Sequence, residues 1–481
     1  MAKSVKINYI LNLVNTVLGI IFPLITLPYV TRILSPNDLG QVQFYSNIIG
    51  YITLFTSFGI PLYGVREIAK LRHDVTQRNT ATIELLLLHT VFTAIGYVCA
   101  FIMCMTVGKI QENIPLFGIL SLGLFFNTIG CSWFFQAMED FMYITIRSLI
   151  VKILSILLLF SLVRTESDIL LYAIVLIIGS AGNNVFNLIR LKSYISRTSI
   201  DKKIRPFSHI KPAGKVFILN LTIGIYTQLS IFLLGFLQSN SDVSYYSMAE
   251  KIVGVINTVV LSLSTVLLPR LSQYVGSNQM SEFKALGDKA ISFVLAISVP
   301  ICFGLITLSK PIVLILFGDL YTPTIPVLAI WAPIIVIIGL SQVFGKSILY
   351  STGQEMLMTK CTFIGMITYF IIGIPAIKYY SIIGAAICAL CTELAVTMSM
   401  ILLGRKHHPC TLLRKENLTY IVASLIMAIP IVIITQTIES SFVQLVISIP
   451  IGIVVYFMVL ALVRNRFYEE LKQIVLKYVR K

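Results

Sequence analysis

Leu418 to Val463 reads LTYIVASLIMAIPIVIITQTIESSFVQLVISIPIGIVVYFMVLALV, and the only charged residue in it is Glu439. Two apolar runs, 418–435 and 443–463, flank a short polar turn. Each matches the roughly 20 residues that a helix needs to cross a bilayer's hydrocarbon core. In that medium the backbone must satisfy its own hydrogen bonds, so only helices or closed barrels span it. These runs are far longer than the roughly 9–11 residues of a barrel strand. Working outward, the same pattern recurs at 9–30, 42–64, 81–106, 115–135, 145–163, 169–189, 216–237, 245–268, 291–315, 324–343, 361–377 and 383–403. The sequence therefore predicts an all-α integral membrane protein with about fourteen transmembrane helices. The composition agrees: 57% of the 481 residues are hydrophobic and 12% charged, where a soluble domain is about a quarter charged.

The first run follows a short basic segment, Met1 to Lys6, and is too long for a signal-peptide core. It is expected to remain as the first helix. The formal net charge of +16 would indicate nucleic acid in a soluble protein, but here the cations cluster between helices. With the N-terminus inside, 31 of the 37 Lys and Arg residues fall on one side and five (Arg32, Lys109, Arg164, Lys310, Lys378) on the other, with Lys251 inside a helix. Basic residues accumulate on the cytoplasmic side, so both termini are expected in the cytoplasm. The eight cysteines all fall in helices or on that inner side. Cys388 and Cys391 have CxxC spacing, which on a membrane helix reads as a packing face; His407, His408 and Cys410 read as a polar loop.

The most basic loop, 191–215, is expected to link an N-terminal six-helix bundle (1–190) to a C-terminal one (216–403). Helices 13 and 14 (404–463) and an amphipathic tail (464–481) follow. A weak internal repeat supports this division: an offset of 204 places Asp38 on Asp242, Ile48–Ile52 on Ile252–Ile256, and Arg66 on Arg270. Copies separated by an even number of helices keep one orientation, as in parallel repeats that rock about a central site.

A charge inside a span costs about 2.5–3.5 kcal/mol on insertion scales, which makes it a candidate for function. The candidates are Glu84, His89, Lys152, Glu250, Lys251 and Glu393, with Arg32, Arg66, Arg147 and Arg270 at helix ends, where snorkelling to headgroups is the competing explanation. Asn8, Asn12, Asn15 and Gly19 form a stripe on one helix face, explained equally by helix pairing and by a polar cavity. No loop offers room for a soluble catalytic domain, no Walker loop is present, and no cofactor or metal site is expected. Energy coupling is left to ions, membrane potential or the substrate gradient.

Three stretches resemble the polysaccharide-transport branch of the multidrug/oligosaccharidyl-lipid/polysaccharide exporter superfamily, more narrowly the Wzx-type repeat-unit flippases. They are Arg32-Ile33-Leu34-Ser35-Pro36-Asn37-Asp38-Leu39-Gly40, which matches R-x-L-x-P-x-x-x-G; Gly64-Val65-Arg66-Glu67-Ile68-Ala69; and Trp133-Phe134-Phe135-Gln136-Ala137-Met138-Glu139-Asp140, continued by Tyr143-Ile144-Thr145-Ile146-Arg147 and Lys152.

The resemblance implies a V-shaped exporter fold in the bacterial inner membrane. The implied activity is to flip undecaprenyl-diphosphate-linked oligosaccharide to the outer leaflet for O-antigen, capsule or exopolysaccharide. It implies membrane lipids as surroundings and a polysaccharide polymerase and chain-length proteins as partners. Arginine's planar donor fork suits phosphate. On that basis Arg32, Arg66, Arg270, Lys251 and Arg147 are expected to bind the diphosphate, Glu84, Glu250, Glu393 and His89 to couple ions or pair charges, and Asn12 and Asn15 to line a cavity. A peptidoglycan-precursor flippase or a cation-coupled multidrug exporter is the alternative. A membrane glycan polymerase would need a larger outer loop than any here.

Overall fold

The computed structural model describes residues 19, 21–195, 200, 203–406, 410–412 and 414–479. Asn12 and Asn15, like Asn8, His407 and His408, lie outside the described residues. Among the described residues the chain is helical, without strands, and ten helices are long and apolar enough to cross a membrane. One of these, Glu355–Gly404, supplies two crossings, and the three other expected spans fall on helices Ile21–Ile33, Ile210–Leu237 and Asn240–Gly276. Within the described residues each expected run thus falls on a helix.

The chain forms two compact units, Met1–Ser241 and Asp242–Lys481. In the first, α1 (Ile21–Ile33) is followed by α2 (Pro36–Ser57), α3 (Ile60–Lys70), α4 (Val75–Thr106), α5 (Gly108–Gln111), α6 (Ile114–Ile129), α7 (Ser132–Ala137), α8 (Phe141–Leu162), α9 (Ile169–Ala181), α10 (Asn183–Tyr194) and α11 (Ile210–Leu237). Several runs read as single spans are broken helices. Phe58 and Gly59 at positive φ separate α2 from α3, and Cys131 at φ 43° separates α6 from α7. The breaks set the short helices α3 and α7 off the ends of the longer apolar ones.

Part of each motif of the sequence serves packing. Ser35 caps α2, accepting the Asp38 backbone N–H at 3.2 Å while its hydroxyl donates to Asp38 Oδ2 at 2.7 Å, and Pro36 starts the helix where no N–H is needed. Gly40 must be glycine: a β-carbon there would lie 1.6 Å from the Asn240 carbonyl oxygen. Gly64 admits Trp133, whose ring would be 2.8 Å from a β-carbon. Around that contact Trp133, Phe134 and Phe135 are buried with Ile60, Ile68 and Leu85 in one core.

The two units meet in sequence at Ser241 and Asp242, and α11, fastened to α2, belongs to the first. Asn47 Nδ2 donates to the Gln228 carbonyl at 3.2 Å and the Tyr51 hydroxyl to that of Ile225 at 2.9 Å. Phe44 meets Phe236, and Phe58 stacks on Phe217 with ring centres 4.9 Å apart.

The second unit holds α12 (Asn240–Gly276, nearly all of it), α13 (Met280–Phe317), α14 (Thr324–Trp331), α15 (Ile334–Ser341), a π-helical stretch Gln342–Leu349, α16 (Glu355–Gly404), α17 (Lys415–Thr437), α18 (Ser441–Leu462) and α19 (Arg466–Val479). The 204-residue offset that aligns Asp38 with Asp242 also aligns the first residues of α2 and α12. Within α16 the chain reverses at Ser381 (φ 47°, ψ −126°). The two arms then pack antiparallel, Gly365 against Val396 and Gly373 against Cys388, whose thiol donates to the Tyr369 carbonyl at 3.8 Å. Cys388 of the CxxC is thus a residue of the hairpin interface. Helices α17 and α18 pack on α13, where the Tyr456 hydroxyl donates to the Ala296 carbonyl at 2.7 Å.

Gly64→Val is expected to force Trp133 out of its seat and to cost about 1–3 kcal/mol, the usual penalty of overpacking. A lowered melting temperature of the purified protein in detergent would show it; an unchanged melt would mean that the Gly64 contact does not hold the core.

Candidate functional site

The residues singled out in the sequence separate into buried clusters and exposed cations. Glu84, on α4, is 8% exposed, and partners from a distant segment satisfy its carboxylate. The Arg205 backbone N–H donates to Oε1 at 2.5 Å, and His209 Nε2 lies 2.9 Å from Oε2. His209 Nδ1 lies 2.9 Å from the Tyr63 hydroxyl. With Nε2 protonated the ring donates to Glu84, and Nδ1 accepts from Tyr63. One chain of hydrogen bonds therefore ties α3, α4 and the 203–210 segment together. Glu84 is accordingly a fastening for the end of the basic loop. His89, one turn further along α4, is 2% exposed, and neither ring nitrogen has a partner among the described residues. Thr93 and Thr128 pair at 2.6 Å on the next turn.

The richest cluster gathers where α4, α7, α8 and α10 approach. Phe134, Phe135, Tyr143 and Tyr194 form its aromatic floor, with ring centres 5.0–6.2 Å apart. Three guanidinium groups surround that floor. Arg78 Cζ lies 6.0 Å from the Phe134 ring centre, while Nε and Nη2 donate to Asn79 Oδ1 at 3.1 and 3.0 Å. Arg190 Cζ lies 4.0 Å and Arg147 Cζ 5.3 Å from the ring centre of Tyr143. Asp140 Oδ2 accepts from Arg190 Nη2 at 2.5 Å. Arg147 is 7% exposed, and its Nε and Nη1 have no acceptor among the described residues. A cation–π contact supplies about 0.5–2 kcal/mol, less than the several kcal/mol that removing an ion from water costs. Arg147 is therefore under-compensated.

Lys152, in the middle of α8, points its ammonium at α1's side of the unit, 3.9 Å from where a β-carbon on Gly19 would sit. Arg32 and Arg66 are exposed, with Arg32 Nη1 donating to the Pro28 carbonyl at 2.6 Å. In the second unit Arg270 is exposed, Glu250 and Lys251 are half-buried neighbours on α12, and Glu393 is half-buried in the second arm of α16.

Sequence reasoning missed the partners. Arg190, Arg78 and His209 read as ordinary loop or helix-end residues, and nothing in the spacing links them to Tyr143, Phe134 or Glu84. Asp140, Tyr143 and Arg147 do share one helical face by spacing, a signal that was available. A second miss is a cavity of about 340 Å³ in the second unit, lined by Lys284, Asp288, Lys289, Arg414, Glu416 and Glu470 among others. There Arg414 pairs with Asp288, and Glu470 lies 2.5 Å from Lys289 and 3.3 Å from Arg466. The Lys289 hydrogen bond, assisted by Arg466, holds the Glu470 carboxyl below the usual carboxylate range. The network anchors α19, whose Phe467 ring meets Phe293 at 5.4 Å.

The chain matches a family model described as polysaccharide biosynthesis protein over residues 5–275 and a second, MatE, over 216–374. It is 24% identical to a putative O-antigen transporter of Shigella dysenteriae over 79% of this chain and 95% of that protein. Among solved structures it resembles the lipid II flippase MurJ in an inward closed conformation, at a TM-score of 0.76 and 17% identity, over 97% of this chain and 99% of that one. It also resembles an inward-facing multidrug resistance MATE family transporter, at 0.63 and 14% identity, over 82% and 94%. At these identities the structures support the fold alone.

Glu84→Gln removes the charge from two hydrogen bonds to a carboxylate, each worth about 1.5–3 kcal/mol. Amide exchange in 203–210 should then quicken at least about tenfold; unchanged exchange would show that the clasp bears no load. For α19 the sign follows from the lowered Glu470 carboxyl. Its contribution is complete above the unfolded value of about 4.3 and is lost only as the pH falls through the lower folded value. Proteolysis of α19 should therefore stay constant from neutral pH down to about 4.3 and rise below it, whereas release near pH 6 would contradict this anchor.

Proposed function

Because the chain belongs to the polysaccharide biosynthesis protein family, whose model covers more than half of it, we propose that it is a flippase carrying undecaprenyl-diphosphate-linked oligosaccharide repeat units from the cytoplasmic to the outer leaflet, for O-antigen, capsule or exopolysaccharide assembly. The observation that carries this reading is the surplus of cations in a membrane-spanning chain. Arg66, Arg147, Lys152 and Arg270 form no ion pair with a carboxylate among the described residues. Holding cations at and inside a bilayer is costly, and an anionic cargo is what offsets it.

In this reading Arg32, Arg66, Arg147, Lys251 and Arg270 receive the diphosphate, since guanidinium forks bind phosphate oxygens in pairs. Glu250, Glu393 and His89 relay or balance charge, and Glu84 acts through the loop it fastens. Transport is by alternating access, driven by an ion gradient or the membrane potential. The chain performs no bond chemistry. The 31 to 5 distribution of Lys and Arg supports both termini in the cytoplasm of a bacterial cell, with the protein in its inner membrane. A polymerase and chain-length proteins act on the unit after it has crossed.

Deletion of the gene, with neighbouring glycan genes intact, should abolish surface polymer and trap lipid-linked repeat units on the cytoplasmic side. Alanine at Arg32, Arg66 and Arg270 together should reduce surface glycan at least about tenfold at normal protein level, each lost charge-assisted bond being worth a factor of that order. Unpolymerised units accumulating outside would instead indicate a polymerase, and undiminished glycan in the triple variant would remove these arginines from the diphosphate site.

A further inference from the structure

Arg147 is a buried and poorly compensated charge in the first unit, and its surroundings specify what is missing. Its buried Nε and Nη1 donors lack acceptors, and the hydroxyl of Tyr143 is likewise buried without a partner among the described residues. Arg190 shares the Tyr143 ring with Arg147 but has an anion, the Asp140 carboxylate at 2.5 Å. Around the Tyr143 ring, two guanidinium groups and one carboxylate leave one positive charge in excess. Arg190 and Asp140 keep 38% and 17% of their side-chain surface exposed, so the cluster opens on their side.

Among common biological anions, phosphate fits this donor set. It offers several oxygens to two planar forks and accepts from a phenol at the same time. A carboxylate has only two oxygens, and one is already present in Asp140. We propose that Arg147, Tyr143 and Arg190 form a docking site for the phosphate end of a polyprenyl lipid, with Asp140 as a resident anion that the phosphate displaces from Arg190. The site resets itself: when the phosphate leaves, Asp140 returns to Arg190 and the charge is not stranded. The choice of a polyprenyl carrier rests on the flippase reading. The proposal adds to it a phosphate site completed by Tyr143, Arg190 and Asp140, none of which the sequence pattern assigned to substrate.

The test is equilibrium binding to the full-length protein purified in detergent, using farnesyl diphosphate, inorganic pyrophosphate and farnesol. Farnesyl diphosphate should bind and farnesol should not. Arg147→Gln should weaken binding at least about tenfold. Arg147→Lys, which keeps the charge but loses the fork, should fall between, and Tyr143→Phe should weaken binding less than Arg147→Gln. Asp140→Asn should tighten it by about threefold or more, because a partly exposed ion pair no longer competes for Arg190.

That last sign is opposite to what a purely structural Asp140 would give. Unchanged or weaker binding in Asp140→Asn, or unchanged binding in Arg147→Gln, overturns the proposal. Should Arg147→Gln fail to fold, Tyr143→Phe and Asp140→Asn still decide it. A preference for farnesyl diphosphate over inorganic pyrophosphate supports a lipid occupant. Equal affinity for the two overturns the lipid assignment in favour of a soluble phosphate. Binding is read without transport, so a strain that exports glycan normally without this gene would overturn the flippase reading and leave the site standing.

Discussion

One constraint governs the polar groups that this protein places in hydrocarbon: no water is at hand there to complete a hydrogen bond. The helices satisfy the backbone, but each place where a helix stops must satisfy it again. The chain solves this locally. Ser35 caps α2 through the Asp38 N–H, and Asn113 caps α6 through the Leu116 N–H. The Asp168 carboxylate closes the turn before α9 by accepting from the Arg164 and Thr165 N–H groups. At these turns the polar residues between apolar runs are in use as ends of helices.

The same constraint explains why spans could be read from sequence and their breaks could not. An apolar run declares itself by composition, whatever it touches. The break at Phe58 and Gly59 depends on Phe58 stacking on Phe92 and Phe217, and Phe217 lies well over a hundred residues away. Cys131 takes its left-handed conformation beside a buried amide, Asn187, that bonds the Gly130 carbonyl. The attachment of α11 to α2 rests on single side chains such as Asn47 and Tyr51. Long-range pairs of this kind leave no periodicity for a single sequence to show.

The candidate site was legible to the same partial degree. Arg147 and Glu84 could be singled out because a charge within an apolar run is expensive wherever it faces. Their fates differ for reasons outside the runs. Glu84 meets a histidine and a backbone N–H supplied by 203–210, so its charge is absorbed by the fold. Arg147 meets an aromatic ring and, among the described residues, no carboxylate. Motif reading pointed at the same places with another meaning, since Gly64 is small where the Trp133 ring must fit.

The contrast between Glu84 and Arg147 separates a charge that serves structure from one that can serve transport. A buried charge with a permanent partner is stable but inert, because breaking the pair by removing one side costs about 3–5 kcal/mol. A charge left with only a ring face is poorly solvated and gains when an anion arrives, yet the gain must stay small enough for the anion to leave. In the proposed site Asp140 and Arg190, half-open to the surface, lie between these limits, as a partly exposed pair that cargo can displace. A carrier must release what it binds, so its binding energy has to be matched by an internal alternative of similar strength. In the proposed site Asp140, which by spacing lies on the side of α8 that carries Tyr143 and Arg147, provides that alternative.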